Sequence, residues 1–202
     1  MATRPTRPAL RERYDRRRRD VVDDAARVFA RRGYDQTSMQ QLAEDLGIAA
    51  GGLYHYFGGK EHLLIAICDQ LMHPLLDDVR ALDDDGLSAG DHLRALVRLW
   101  VAHVVEHRDH MLVFQQERHV IDRGEQWKGV RTDRKHFERL VEEALRRVEA
   151  DALAHYDDRR LALSALLCMV NHTAQWYRPS GRLTPQAIAD GYTALLLRPA
   201  AA

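Results

Sequence analysis

Apolar residues along the chain recur at intervals of three and four, the spacing of a helix face, and no convincing strand alternation is found. Val22, Ala26, Phe29 and Gly33, widened by Val21, Ala25 and Val28, trace a first helix that should stop at Gly33. In TSMQQLAEDLG, either Thr37 with Gln40 or Ser38 with Gln41 has capping-box spacing, Met39, Leu42 and Leu46 share a face, and Gly47 ends the run. IAAGGLYHYF follows with almost no linker, so a third helix must turn sharply against the second. Two short helices joined by a tight glycine-bearing turn and braced by a longer one predict a helix-turn-helix.

The pattern lengthens from Lys60, where Leu63, Leu64, Ile67 and Leu71 define a helix running past Pro74 towards Leu82, with a kink expected at the proline. After DDDGLSAGD come Leu93, Leu96, Val97, Trp100, Val101 and Val104 on one helical face, then a short helix from Met111 to Val120. Phe137, Leu140, Val141, Ala144, Leu145 and Val148 form the next face. RRLALSALLCMVNHTAQWY is apolar nearly all round, which predicts contacts on more than one side. Thr184 caps a last helix with Pro185 at its first position and Ala187, Ile188, Gly191, Tyr192, Leu195 and Leu196 as its buried stripe. The predicted class is all-α, divided into a basic flexible arm (1–17), a helix-turn-helix unit (18–60) and a larger helical domain (61–202).

With 46% hydrophobic and 30% charged residues over 202 positions, the composition is that of an ordinary globular chain. No apolar run approaches the ~20 residues of a membrane span, and no signal-peptide core follows the arginine-rich start, so the cytoplasm is the expected location and no membrane partner is expected. Cys68 and Cys168 are too few for a disulfide scaffold or a cysteine zinc site and are expected to fill core space. The formal net charge of zero hides an asymmetry: residues 1–64 hold 12 Lys/Arg against 9 Asp/Glu, and residues 1–19 hold 8 arginines against Glu12 and Asp15. Such a segment attracts an anionic partner, of which nucleic acid is the commonest.

GGLYHYFGGKE, from Gly51 to Glu61, brings glycines and a lysine together but has neither the glycine spacing nor the Lys-Ser/Thr of a phosphate-binding P-loop. With its flanks, DAARVFARRGYDQTS before and TSMQQLAEDLGIAAGGLYHYFGGKEHLL around it, it resembles the signature of the TetR family of bacterial transcriptional regulators. The resemblance covers about residues 18–66. It implies a DNA-binding head followed by a ligand-binding and dimerisation domain, a double-stranded operator, a small-molecule effector, no enzymatic activity and no cofactor. Gly51 and Gly52 would let the recognition helix approach base edges closely, while Leu53 and Phe57 face the core. Tyr54 matches the family's phosphate-binding tyrosine, Lys60 adds a cation nearby, and Thr37 and Ser38 stand at a helix N-terminus suited to a phosphate. Gln40, Ala50, His55 and Tyr56 are the candidates for base or further backbone contacts. Ala49 replaces the usual hydroxyl cap and Gly59 the usual serine, so the recognition helix should fray more readily without DNA.

The resemblance also implies a homodimer through the last two helices, and the apolar surplus of 161–177 and 185–197 supports it independently. Trp100, Met111, Phe114, Phe137, Met169 and Trp176 could line an apolar effector pocket, with Arg118, Trp127, Asn171 and His172 orienting the ligand, although each large residue also has the spacing of plain core. NHTAQWYRPSGRLTP resembles family members that sense acyl-CoA or sterol-derived thioesters. His103, His107 and His110 have a spacing that raises a metal-responsive alternative. A small all-α enzyme is the rival of a different class, with Glu117, Arg118 and His119 drawn as its acid-base group, but no nucleophile–base pair or complete metal motif supports it.

Overall fold

Helix α1 (Pro8–Arg32) begins well before its apolar stripe. Pro8 sits in the first turn, where its missing N–H costs nothing, and no glycine or proline interrupts the chain from Ala9 to Arg32. The computed structural model describes residues 7–83 and 86–197. The flexible arm expected over 1–17 is thus corrected for residues 8–17, which are helical, while residues 1–6 lie outside the described residues. The 17/18 boundary falls inside α1.

After α1 come α2 (Met39–Asp45), α3 (Ala50–Phe57), α4 (Lys60–Asp83), α5 (Ala89–Glu106), α6 (Arg108–Gln116), α7 (Arg118–Ile121), a 3-10 turn (Glu125–Trp127), α8 (Lys128–Ala150), α9 (Arg159–Trp176) and α10 (Pro185–Leu196). No strand occurs among the described residues. The single helix expected from Met111 to Val120 is two, because the chain turns at Glu117 between α6 and α7. Other ends follow local chemistry. Thr184 Oγ1 accepts the Ala187 N–H at 3.1 Å at the start of α10, and Gly58 ends α3 in the left-handed region (φ 68°), where its N–H reaches the Tyr54 carbonyl at 2.8 Å.

Val22, Ala25, Ala26, Phe29, Leu42, Leu53 and Phe57 form the core of the three-helix head. Leu63, Leu64, Ile67, Leu71 and Leu75 of α4 are all at most 1% exposed and carry this core into the body. Each buried leucine or isoleucine stabilises the fold by roughly 1.5–3 kcal/mol. Helix α1 packs on both α4 and α6, and α5 lies at the centre of the body against α4, α8, α9 and α10.

Pro74 lies inside α4 and supplies no N–H to the helical ladder. Beside this break, the buried His103 places Nε2 2.7 Å from the Leu71 carbonyl. A carbonyl only accepts, so the imidazole donates and is held as the Nε2–H tautomer. Its ring lies 4.4 Å from that of His107, which is 5.7 Å from that of His110. His110 is buried and faces Asp23 of α1 at 3.3 Å, and Asp23 also accepts from Gln70 of α4. Four helices, α1, α4, α5 and α6, therefore meet at polar groups within an apolar junction.

The outer faces of α9 and α10 are apolar and open: Leu161 is 69% and Leu195 74% exposed. Cys68 is buried as expected, but Cys168 is exposed on α9, since Leu166, Val170, Thr173 and Ala174 take that helix's inward positions.

Replacing His103 with Ala leaves the Leu71 carbonyl without this donor, so unfolding free energy should fall by about 1–3 kcal/mol in urea titration. Burial, followed by the charges of His107 and His103, pushes His110 down from 6.5 to about 4. The unfolded chain then binds the proton more readily, so stability is full above about pH 6.5 and declines as the pH falls towards 4. Burial raises the Asp23 carboxyl, which offsets part of that loss. Melting temperature followed across this range should drop less in His110→Gln than in the parent chain.

Candidate nucleic-acid interface

The α2 cap is the Ser38–Gln41 pair. Gln41 N–H donates to Ser38 Oγ at 3.1 Å and Ser38 N–H to Gln41 Oε1 at 2.9 Å, a reciprocal box that leaves the serine hydroxyl proton available to a phosphate oxygen. Thr37 is corrected as a phosphate ligand: it is 1% exposed and its hydroxyl donates inward to the Gly33 carbonyl at 2.9 Å. It fastens the α1–α2 turn instead. Gln40 is exposed on α2 with its amide 3.5 Å from Glu44 Oε1.

Helix α3 is anchored by Leu53 and Phe57. Its N-terminus has no side-chain cap at Ala49, and two glycines follow, each costing about 1 kcal/mol of helix propensity against alanine. A Cβ at either Gly51 or Gly52 would meet nothing within 4 Å, and neither has positive φ. Nothing inside the chain requires glycine there. The two bare positions, with half-buried Ala50 beside them, suit close approach to a surface outside the molecule.

Tyr54 is 50% exposed and His55 is exposed, so both present polar groups outward. The half-buried Tyr56 packs its ring on Tyr14 of α1 at 5.0 Å, and Tyr14 also meets His55 edge-on at 6.4 Å. Tyr56 is thus first a brace for α1, and its ring is not free for bases. Lys60 holds its ammonium 4.1 Å from the centroid of the Tyr34 ring, and burial lowers its pKa, so a phosphate contact requires the side chain to swing away. Sequence reasoning missed Tyr14 and placed the arginines beside it on a flexible arm, where the structure has a helix. Arg13, Arg16 and Arg17 line an open groove with Tyr14 and Tyr56. Pro8 at a helix-start position and the uninterrupted run after it were the available signals.

The ten expected effector positions do not share one chamber. Trp100, Met111, Phe114, Trp127 and Phe137 are buried, and Trp100 meets Phe137 edge-to-face at 4.7 Å. Met169 and Asn171 are half-buried. Arg118 is exposed and faces Asp122 at 3.7 Å, while His172 and the 42% exposed Trp176 turn outward on α9. For Arg118, His172 and Trp176 the position inside this subunit's pocket is corrected, because the helix phase that buries Val170, Thr173 and Ala174 turns 172 and 176 away. As to the metal alternative, His103 Nε2 is spent on Leu71, and among the described residues the three histidines are not a set whose donor atoms converge.

The model of the tetracyclin repressor-like C-terminal domain matches residues 86–200, and that of the bacterial regulatory proteins of the tetR family matches residues 21–67. The chain belongs to the TetR family. A chain of this family is a DNA-binding transcriptional regulator and not an enzyme. Among its relatives, the HTH-type transcriptional repressor KstR2 of Rhodococcus jostii (strain RHA1) is 28% identical over 186 residues, covering 90% of this chain and 89% of the relative. The structure of AibR in complex with isovaleryl coenzyme A and operator DNA superposes with a TM-score of 0.77 at 30% identity, covering 89% of this chain and 97% of AibR. The ketosteroid transcriptional regulator KstR2 of Mycobacterium tuberculosis has the same fold, with a TM-score of 0.81 at 23% identity over 89% of this chain and 92% of that one. No helix among the described residues of this TetR-family chain is long and apolar enough to cross a membrane.

The glycine pair gives a test in which stability and binding move oppositely. Gly52→Ala should stabilise the head by up to about 1 kcal/mol through helix propensity. It should also weaken operator binding, since the new methyl stands where the groove must approach. Thermal melts beside fluorescence anisotropy on operator and random DNA would check both signs.

Proposed function

We propose that this chain represses transcription from a near-palindromic operator and releases it when a small apolar or amphipathic thioester of the acyl-CoA type enters the helical body. The observation that carries this reading is the likeness to AibR, solved with isovaleryl coenzyme A and operator DNA together. Ser38, Gln40, Tyr54 and His55 supply outward polar groups, and Ala50, Gly51 and Gly52 supply the close approach. Lys60 and the arginines of α1 supply cations for the phosphate backbone. The open apolar faces of α9 and α10 pair with those of a second copy, and the two heads then stand about 34 Å apart, or a multiple of that, to enter successive major grooves.

The effector acts on α4. Ligand binding in the body parts the Trp100–Phe137 contact and presses on the face of α4 that Leu71 and Leu75 occupy, and α4 carries the displacement to the head. Such coupling requires the effector to bind the operator-free shape more tightly, by the same factor that operator affinity falls.

Anisotropy of a labelled operator duplex, titrated with isovaleryl-CoA, longer acyl-CoAs, free coenzyme A and the free acids, tests the reading. A thioester should release the DNA where coenzyme A and the free acid do not, and Phe137→Trp should shift the half-releasing concentration by about fivefold or more while operator affinity changes by less than about twofold. Release by free acids alone, or by none of these compounds, would sink the assignment.

A further inference from the structure

Where the head meets the body, Asp35 in the α1–α2 turn, Glu117 at the α6–α7 corner and His119 on α7 each bring one ligand-capable atom to within 4.8 Å of the other two. Asp35 and His119 are exposed, but Glu117 is only 6% exposed and its Oε2 has no hydrogen-bond partner among the described residues. An unpartnered carboxylate oxygen in such a place is costly. Burial first, and the charge of Asp35 second, raise the Glu117 pKa, and His119, the backbone N–H of Tyr34 and Lys60 only partly offset them. The same corner affects Tyr34, whose hydroxyl is pushed up to about 12 by burial and by Glu61, Asp35 and Glu117.

The nearest cation does not complete the corner. Lys60 is electrostatically coupled to both Asp35 and Glu117, yet its ammonium lies over the Tyr34 ring and gives Glu117 Oε2 no hydrogen bond. His119, in contrast, is oriented for ligation. Its Nδ1 faces the Gln116 carbonyl at 3.3 Å, so Nδ1 carries the proton and Nε2 keeps its lone pair. Two carboxylates and one such imidazole suit a first-row divalent ion. With metal–ligand bonds of about 2.0–2.2 Å, the donors need only a modest closure, which the two exposed side chains can make.

Two other groups are weaker candidates. In Asp69, His73 and Asp133, between α4 and α8, the imidazole already pairs with Asp133 at 3.2 Å. The three histidines of the α5–α6 junction do not converge.

We propose that Asp35, Glu117 and His119 form a divalent transition-ion site that fastens the α1–α2 turn of the DNA-binding head to the α6–α7 corner of the body. The site takes Zn²⁺ or Mn²⁺ through one oxygen of each carboxylate and His119 Nε2, with water in the remaining positions. It lies apart from the buried Trp100 and Phe137 side chains and does not depend on the identity of the effector. Because Asp35 belongs to the head and the other two ligands to the body, the bound ion restrains the movement of one against the other.

Full-length protein stripped with chelator and titrated calorimetrically with Zn²⁺ and with Mn²⁺ tests the site. One ion should bind per subunit, with affinity at least tenfold lower in Glu117→Gln and in His119→Ala and unchanged in His73→Ala and His107→Ala. Glu117→Gln keeps the side-chain shape and removes the unpartnered charge. Without metal it should melt no lower than the parent chain, and the rise in melting temperature that Zn²⁺ gives the parent should vanish. Amide hydrogen exchange at Tyr34–Thr37 should slow on adding Zn²⁺ to the parent and not to the variant. Absence of binding, binding that survives both Glu117→Gln and His119→Ala, or loss of binding in His73→Ala would overturn the proposal.

Discussion

Helix α4 belongs to two cores at once. The residues that close the head against α1 lie on the same continuous rod as Leu71 and Leu75, which close the body against α5 and α8. Because a helix propagates displacement over its length better than a loop does, the head cannot change its tilt without a response in the body packing, and the converse holds. The head also meets the body where α1 packs on α6 and where Asp35 stands beside Glu117, and these contacts limit how freely the rod pivots.

Within that arrangement Pro74 and His103 act together. Pro74 stands on the exposed side of α4 and withdraws one donor from its ladder. The imidazole brings a donor to the neighbouring carbonyl from α5, so the weak point of α4 is tied to the central helix of the body. A lowered His103 pKa, due first to burial, keeps that donor in its neutral form. The histidine-rich junction is therefore better understood as polar support beside the proline of α4 than as a set of ligands.

The head was largely legible in the sequence because its signals are local: the stop at Gly33, the capping-box spacing that Ser38 and Gln41 fill, the turn at Gly47 and the four-residue spacing of Leu53 and Phe57 all act within a few residues of themselves. The all-α class and the cap of the last helix at Thr184 were legible for the same reason. What escaped depends on partners distant in sequence. Thr37 reads as a surface hydroxyl until the turn folds it onto Gly33, and Tyr56 reads as a groove residue until Tyr14 reaches it from an extension taken for a loose arm. The inward or outward phase of α9 was hidden because apolar residues surround that helix, so periodicity gave no preferred face. Glu117 drew attention only as a piece of a hypothetical enzyme, since nothing in its neighbours along the chain predicts that it will be buried against Asp35.

The glycine pair at the start of α3 bears on the variety of DNA the protein can regulate. A side chain discriminates among base pairs both by bonding the right one and by colliding with the wrong ones, and a hydrogen atom does neither. On the proposed mode of binding, base pairs beneath Gly51 and Gly52 would be screened only by the local shape and stiffness of the duplex, while those under Gln40 and His55 would be within reach of hydrogen-bonding groups. A set of natural operators would then tolerate substitution beneath the glycine pair more than beneath Gln40 and His55, and new target promoters could arise by mutation there without any change in the protein.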